Sequence, residues 1–138
     1  MNKNPITIDT VISAPISKVW AYWNEPEHIV QWAFADDTWE APEAENDLRT
    51  GGTFKTVMAA KDKSASFDFG GIYTVVKNRE LIEYDLGDGR HVKVEFSETP
   101  QGVKVTETFD PENLHTEEMQ KSGWQAILDN FKKHVETA

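Results

Sequence analysis

One acidic residue stands where the pattern calls for an apolar one. Through Val103-Lys104-Val105-Thr106-Glu107-Thr108-Phe109 the alternate positions are Val103, Val105, Glu107 and Phe109, so Glu107 shares a face with three apolar side chains. A carboxyl group on the dry side of a sheet has its pKa raised by desolvation and can act as a general acid or base. The same pattern fits a carboxylate paired with Lys or Arg, or one exposed by a register slip near the strand end. Tyr73 and Tyr84 also fall on period-two apolar faces, where a buried hydroxyl needs a partner and can orient a ligand. A second polar set, Asp36, Asp37, Asp47, Arg49 and Asp68, lies around loops and one strand. Arg49 can hold a ligand carboxylate at a cavity mouth, or pair with Asp47 or Asp68. Trp32, Phe34 and Trp39 flank this set, as a lid or as a plug at the end of the core.

Other chemistries find no support in the pattern. His28, His91, His115 and His134 are scattered, and His91 is expected to face outward, so no histidine metal set is visible. There is no Cys, hence no disulfide, thiol nucleophile or thiolate site. Gly51-Gly52 and Gly70-Gly71 sit in or beside strands and do not open a helix as a phosphate loop would. No nucleophile elbow or Ser-His-Asp spacing is present, and no cofactor is indicated. The formal charge of −10 argues against nucleic acid or anionic lipid as a main partner. MNKNPITIDT lacks the apolar core of a signal peptide, and no apolar run is long enough to insert in a bilayer. A cytoplasmic location is the expectation.

The elements that must position these residues follow from periodicity. Thr116 to about Glu136 carries Met119, Trp124, Ile127, Leu128, Phe131 and Val135 at helical spacing, with Thr116 as N-cap and Glu117 and Glu118 in the first turn. At ~1.5 Å per residue this rod spans ~30 Å, enough to run across a sheet. At the other end, Ile6–Ile12 alternates as a strand. Ser13 is expected to cap a helix with Pro15 in its first turn and Val19, Trp20 and Trp23 on one side. Asn24 and Pro26 stop it, and a second short helix covers Glu27 to about Trp32.

A loop region follows, with one short strand around Trp39–Ala44. Four further strands are then marked by alternation: Phe54–Met58, Phe67–Val75, Val92–Phe96 and Val103–Phe109, with Leu81–Leu86 between turns. The order predicts one domain over residues 1–138 of α+β class, with a curved antiparallel sheet of about six to seven strands. Two short helices follow the first strand, and the long C-terminal helix lies over the apolar face.

Strand parity aims Phe54, Met58, Phe67, Phe69, Tyr73, Tyr84, Val94 and Phe96 at the gap between helix and sheet, opposite Trp124 and Leu128. Taken singly, each does what any core residue does. Together, a bent sheet held off by a rigid helix tends to leave a concavity. Gly123 is a further candidate: glycine inside a helix costs ~1 kcal/mol relative to alanine, so the missing side chain leaves room for a ligand or for Trp32 and the short helices, or is merely tolerated near the first turns.

Four segments carry a family resemblance: Ala14-Pro15-Ile16-Ser17-Lys18-Val19-Trp20, Pro26-Glu27-His28-Ile29-Val30-Gln31-Trp32, Asn46-Asp47-Leu48-Arg49-Thr50-Gly51-Gly52-Thr53-Phe54, and Gly123-Trp124-Gln125-Ala126-Ile127-Leu128-Asp129-Asn130-Phe131. With them the chain resembles the START-like, helix-grip (SRPBCC) superfamily. Within it, the chain looks most like the bacterial branch grouped with activators of the ninety-kilodalton heat-shock chaperone's ATPase. The resemblance implies a bent sheet gripping the last helix around a cavity, closed at one end by the short helices. Members of the superfamily carry lipids or hormones, bind polyketides, act as cyclases or serve as co-chaperone domains, so the fold does not choose a function.

The expectation is a binding or carrier protein for a small hydrophobic molecule such as a lipid, an aromatic or a polyketide-like metabolite. Its site would be Trp32, Arg49, Phe54, Met58, Phe67, Phe69, Tyr73, Tyr84, Phe96, Glu107, Gly123, Trp124 and Leu128. The alternatives are a cyclase- or hydratase-like enzyme using Glu107 with a Tyr hydroxyl, and a co-chaperone-like domain with a weak protein partner. The co-chaperone family carries a chaperone-gripping domain ahead of this fold, for which 138 residues leave no room.

Overall fold

The structure, a computed structural model, describes residues 4–137. Seven strands form one antiparallel sheet in the order β1-β7-β6-β5-β4-β3-β2. These are β1 (Ile6–Ile12), β2 (Trp39–Asn46), β3 (Thr53–Ala60), β4 (Ser66–Lys77), β5 (Leu81–Leu86), β6 (His91–Thr99) and β7 (Gly102–Phe109). Helices α1 (Ile16–Asn24) and α2 (Pro26–Trp32) link the two edge strands, and α3 (Glu117–Thr137) closes the chain. This is the expected α+β helix-grip architecture.

The alternation that marks β7 is realised in its burial: Val103, Val105, Glu107 and Phe109 all turn inward. At Gly70 and Gly71 of β4, a side chain would begin 2.5 Å from Phe54 O and 2.3 Å from Asp85 O. Only glycine admits neighbouring backbones that close, on both sides of the strand.

A bulge between Tyr73 and Val75 then shifts the register, so that Val76, not Val75, opposes the buried Ile82. Strict alternation from Tyr73 to Val75 therefore does not hold. One extra residue reverses the faces beyond it.

The sheet's first edge is covered by α3. Gln125 Nε2 donates to Asp9 O at 3.2 Å and Lys132 Nζ donates to Val11 O, so two edge carbonyls of β1 are satisfied by side chains from the helix. At α3's start Thr116 Oγ1 accepts from Met119 N at 3.1 Å, the expected N-cap. Ser13 does not cap α1. The first helical carbonyl belongs to Pro15, which accepts from Lys18 N and Val19 N, while Ser13 N donates to Glu136 Oε2 at 2.8 Å.

Met119 was expected in the buried stripe but is largely exposed. Gln120 goes inward instead. Its amide accepts from Glu112 N and donates to the carbonyls of Glu112 and His115, giving the polar link after β7 its hydrogen-bond partners.

β2 runs two residues beyond its expected end, to Asn46. Pro42 is accommodated where the register with β3 shifts between Glu40 and Glu43. The polar composition of this edge strand hid its length.

Candidate functional site

Between α3 and the concave face of the sheet lies a cavity of about 270 Å³. Its size is at the lower edge of the ~300–1,000 Å³ usual for small-molecule sites. Of the residues expected there, Trp32, Phe54, Met58, Phe67, Phe69, Tyr73, Tyr84, Glu107 and Trp124 line it. Aromatic rings make one continuous wall. Phe54 meets Tyr84 edge-on at 4.7 Å and Tyr73 at 5.2 Å, and Phe69 meets Trp124 at 5.9 Å. The Phe54–Tyr84 and Phe69–Trp124 pairs are edge-to-face, a favoured aromatic geometry that holds those rings in place.

The inner end is closed by the short helices. Trp32 packs on Trp23 at 5.0 Å and on Phe131 at 4.8 Å, while its indole N–H donates to Tyr22 O at 3.0 Å. Trp32 is thus a plug with its polar atom satisfied. Phe67 is half exposed and lines the cavity together with Arg90 and Glu45, which marks the rim.

Four expected residues are placed elsewhere. Phe96 belongs to a cluster beneath α1, edge-on to Trp20 at 5.2 Å and to Trp23 at 5.8 Å. Leu128 is fully buried core. Arg49 is exposed and bound to Asp47 by a 2.9 Å ion pair, the structural alternative noted for it. Gly123 borders a second, more open groove with Met119 and Gln120, and a Cβ built on it meets nothing within 4 Å. Trp124 and Ile127 line both spaces and so form the wall between them.

Glu107 is buried, with Ile8 and Val94 opposite it on the adjacent strands. Loss of solvation raises its pKa from 4.5 to about 8, so the group is mostly a neutral acid near pH 7. Tyr84 is buried as well, and its pKa is pushed up by burial and then by the nearby Glu107. Neither Tyr84 Oη nor the Glu107 carboxyl has a hydrogen-bond or ion-pair partner among the described residues.

Tyr73 differs. Its hydroxyl donates to Asn46 Oδ1 at 2.5 Å, and Asn46 Nδ2 donates to Asn24 O at 2.7 Å, pinning β2 to the end of α1. Burial again raises the Tyr73 pKa. Its polar group is already in use.

The sequence pattern did not reveal Arg90 or Asn46 as lining residues. Arg90 follows the Gly87-Asp88-Gly89 turn and is tied to Asp88 at 2.8 Å; a strong turn signal beside an inward-facing strand was the available clue. It also missed that His28 and His134 meet, with Nδ1 and Nε2 3.0 Å apart and His28 stacked on Tyr22 at 3.7 Å. His91 lies outward as expected, bridging Asp85 at 2.7 Å and Glu83 at 2.8 Å, and both bonds raise its pKa. Among the described residues no group of three or more His, Asp or Glu side chains is placed to hold a metal ion. Among the described residues no helix is long and apolar enough to cross a membrane.

Comparison with known proteins agrees with this fold. A solution structure of an AHSA1-like protein from Aeromonas hydrophila is 45% identical, covers 96% of this chain and 92% of its own, and superposes with a TM-score of 0.90. A Cytophaga hutchinsonii protein is 53% identical over 97% of this chain and 93% of its own, with a TM-score of 0.84. A Nitrosomonas europaea protein shares the fold at 20% identity, covering 96% of this chain and 94% of its own with a TM-score of 0.83. No curated protein matches. The family described as activator of Hsp90 ATPase homolog 1-like protein matches residues 13–136, and the chain belongs to that family.

Proposed function

We propose that this protein binds a small, largely apolar molecule in the cavity between α3 and the sheet. The observation that carries this reading is the cavity itself: about 270 Å³ walled by Phe54, Phe69, Tyr84 and Trp124, with a plug at one end and a rim at the other. Burial of an apolar guest is favourable by ~25 cal/mol per Å², and walls already held by ring-on-ring contacts need little reordering to receive it. The test is native mass spectrometry of protein purified from its own host, beside a Met58→Trp variant that fills the space. A mass excess present in the wild type and lost in a cooperatively folding variant supports the reading. No bound species, and no rise in melting temperature with naphthalene-type compounds, overturns it.

A second reading is favoured by the raised pKa of Glu107, about 8, which suits a general acid or base near neutral pH. An enzyme of this kind loses turnover in Glu107→Gln while retaining binding. A binding protein shows no turnover to lose.

A further inference from the structure

We infer that the cavity's occupant is an uncharged molecule with a single carbonyl-type acceptor, which takes hydrogen bonds from the Glu107 carboxyl and the Tyr84 hydroxyl. The inference rests on the cavity-binding reading above and goes further by naming the ligand's chemistry. Among the polar groups of the lining, Tyr73 is committed to Asn46, Asn46 also to Asn24 O, and Arg90 to Asp88. Glu107 and Tyr84 are 5% and 6% exposed and have no partner among the described residues. Their polar atoms open onto the cavity and find no protein partner there, so a bound molecule is what can match them.

The two lie on the same inward face, two strands and two residues apart, and both line the cavity. Glu107 on β7 faces Val94 on β6, which faces Ile82 on β5, two residues from Tyr84. The Glu107 charge is close enough to add to what burial does in raising the Tyr84 pKa. Thr56, also buried, lines the cavity too, but from β3, four strands from Glu107.

The charge of the ligand follows from the surroundings. Glu107 has Ile8 and Val94 opposite it and Phe109 next on its own face, Trp124 and Ile127 of α3 line the same cavity, and Tyr84 is the titratable group it acts on. Among the described residues the cation that lines the cavity is Arg90, at the rim and tied to Asp88, with Glu45 beside it. A ligand carboxylate would lose its hydration in an apolar cavity that offers it no free cation. An acid O–H and a phenol O–H with nothing to donate to are complemented by an acceptor: a ketone or amide oxygen.

The test compares 2-acetylnaphthalene, 2-isopropylnaphthalene and 2-naphthoate, binding being read from quenching of Trp23, Trp32 and Trp124. At about pH 6, where Glu107 is protonated, the ketone is expected to bind about tenfold tighter than the hydrocarbon of the same shape, the scale of one or two net hydrogen bonds. That preference should vanish in Tyr84→Phe and Glu107→Leu together. It should fade at about pH 9.5 in the wild type but persist in Glu107→Gln, whose amide still donates. Equal binding of ketone and hydrocarbon overturns the inference and leaves the cavity reading standing. Tighter binding of the naphthoate overturns it in favour of an anion site. Binding of none of the three overturns both.

Discussion

The indole of Trp124 lies flat on the ring of Phe109, centroids 3.9 Å apart and planes 9° from parallel. This contact holds α3 against β7, and the same residue lines the cavity. Trp124 is also the partition from the outer groove. Trp124→Ala is expected to destabilise by about 3 kcal/mol, as large-to-small changes at packed aromatics do. It should also join the two spaces, so that naphthalene-type probes bind in a larger site with faster release. Denaturant titration and stopped-flow fluorescence measure the two effects.

Glu107 gives stability a pH dependence of definite sign. Its pKa is 4.5 ordinarily and about 8 in the folded chain. Between those values the folded state holds a proton that the unfolded state has released. The contribution is therefore complete below 4.5 and is lost as pH rises through about 8. The expected slope is about 1.4 kcal/mol per pH unit within that window. Glu107→Gln should flatten it, which urea titrations of the two proteins at matched pH values will show.

His134 acts in the opposite direction. Burial first, then His28 and Lys18, lowers its pKa from 6.5. Below 6.5 the unfolded chain takes up a proton that the folded chain resists, so stability present above 6.5 is lost as pH falls through the folded value. Comparing wild type with His134→Gln should isolate this loss. The difference between them should grow on acidification and involve the docking of α2, which carries His28, against α3.

Gly123 should prove dispensable to the cavity. Its missing side chain faces the outer groove with nothing within 4 Å. Gly123→Ala is expected to raise stability by about 0.5–1 kcal/mol through helix propensity and chain entropy. Probe affinity should stay unchanged, and a drop in affinity would place Gly123 in the site after all.

Tyr73 and Asn46 form the polar strut between β4 and β2. Tyr73→Phe leaves Asn46 Oδ1 without its donor, an expected cost of about 1 kcal/mol. A double-mutant cycle with Asn46→Ala should return most of that cost as coupling energy.

Much of the fold was legible in the sequence because its signals are local. Val103, Val105, Glu107 and Phe109 share a face by strand geometry alone, and Trp124 through Val135 share one by helical geometry. Each strand's inward face could therefore be read off, and most cavity-lining rings with it. Where a strand departs from strict alternation, as at the bulge after Tyr73, the reading slips, since an extra residue leaves no mark in composition. The edge strand β2 was underestimated for a related reason: exposed, polar and interrupted by Pro42, it has no dry face to announce it.

What the tertiary structure alone decided is which inward groups are already spoken for. Sequence made Arg49, Tyr73, Tyr84, Phe96, Glu107 and Gly123 comparable candidates. Folding gave Arg49 to Asp47, Tyr73 to Asn46, Phe96 to Trp20 and Trp23, and turned Gly123 toward the groove. Glu107 and Tyr84 were left facing the cavity with no partner. Such pairings depend on contacts between residues far apart in the chain, as between His28 and His134. Alternation tells which way a side chain points, but only the closed fold determines what it meets.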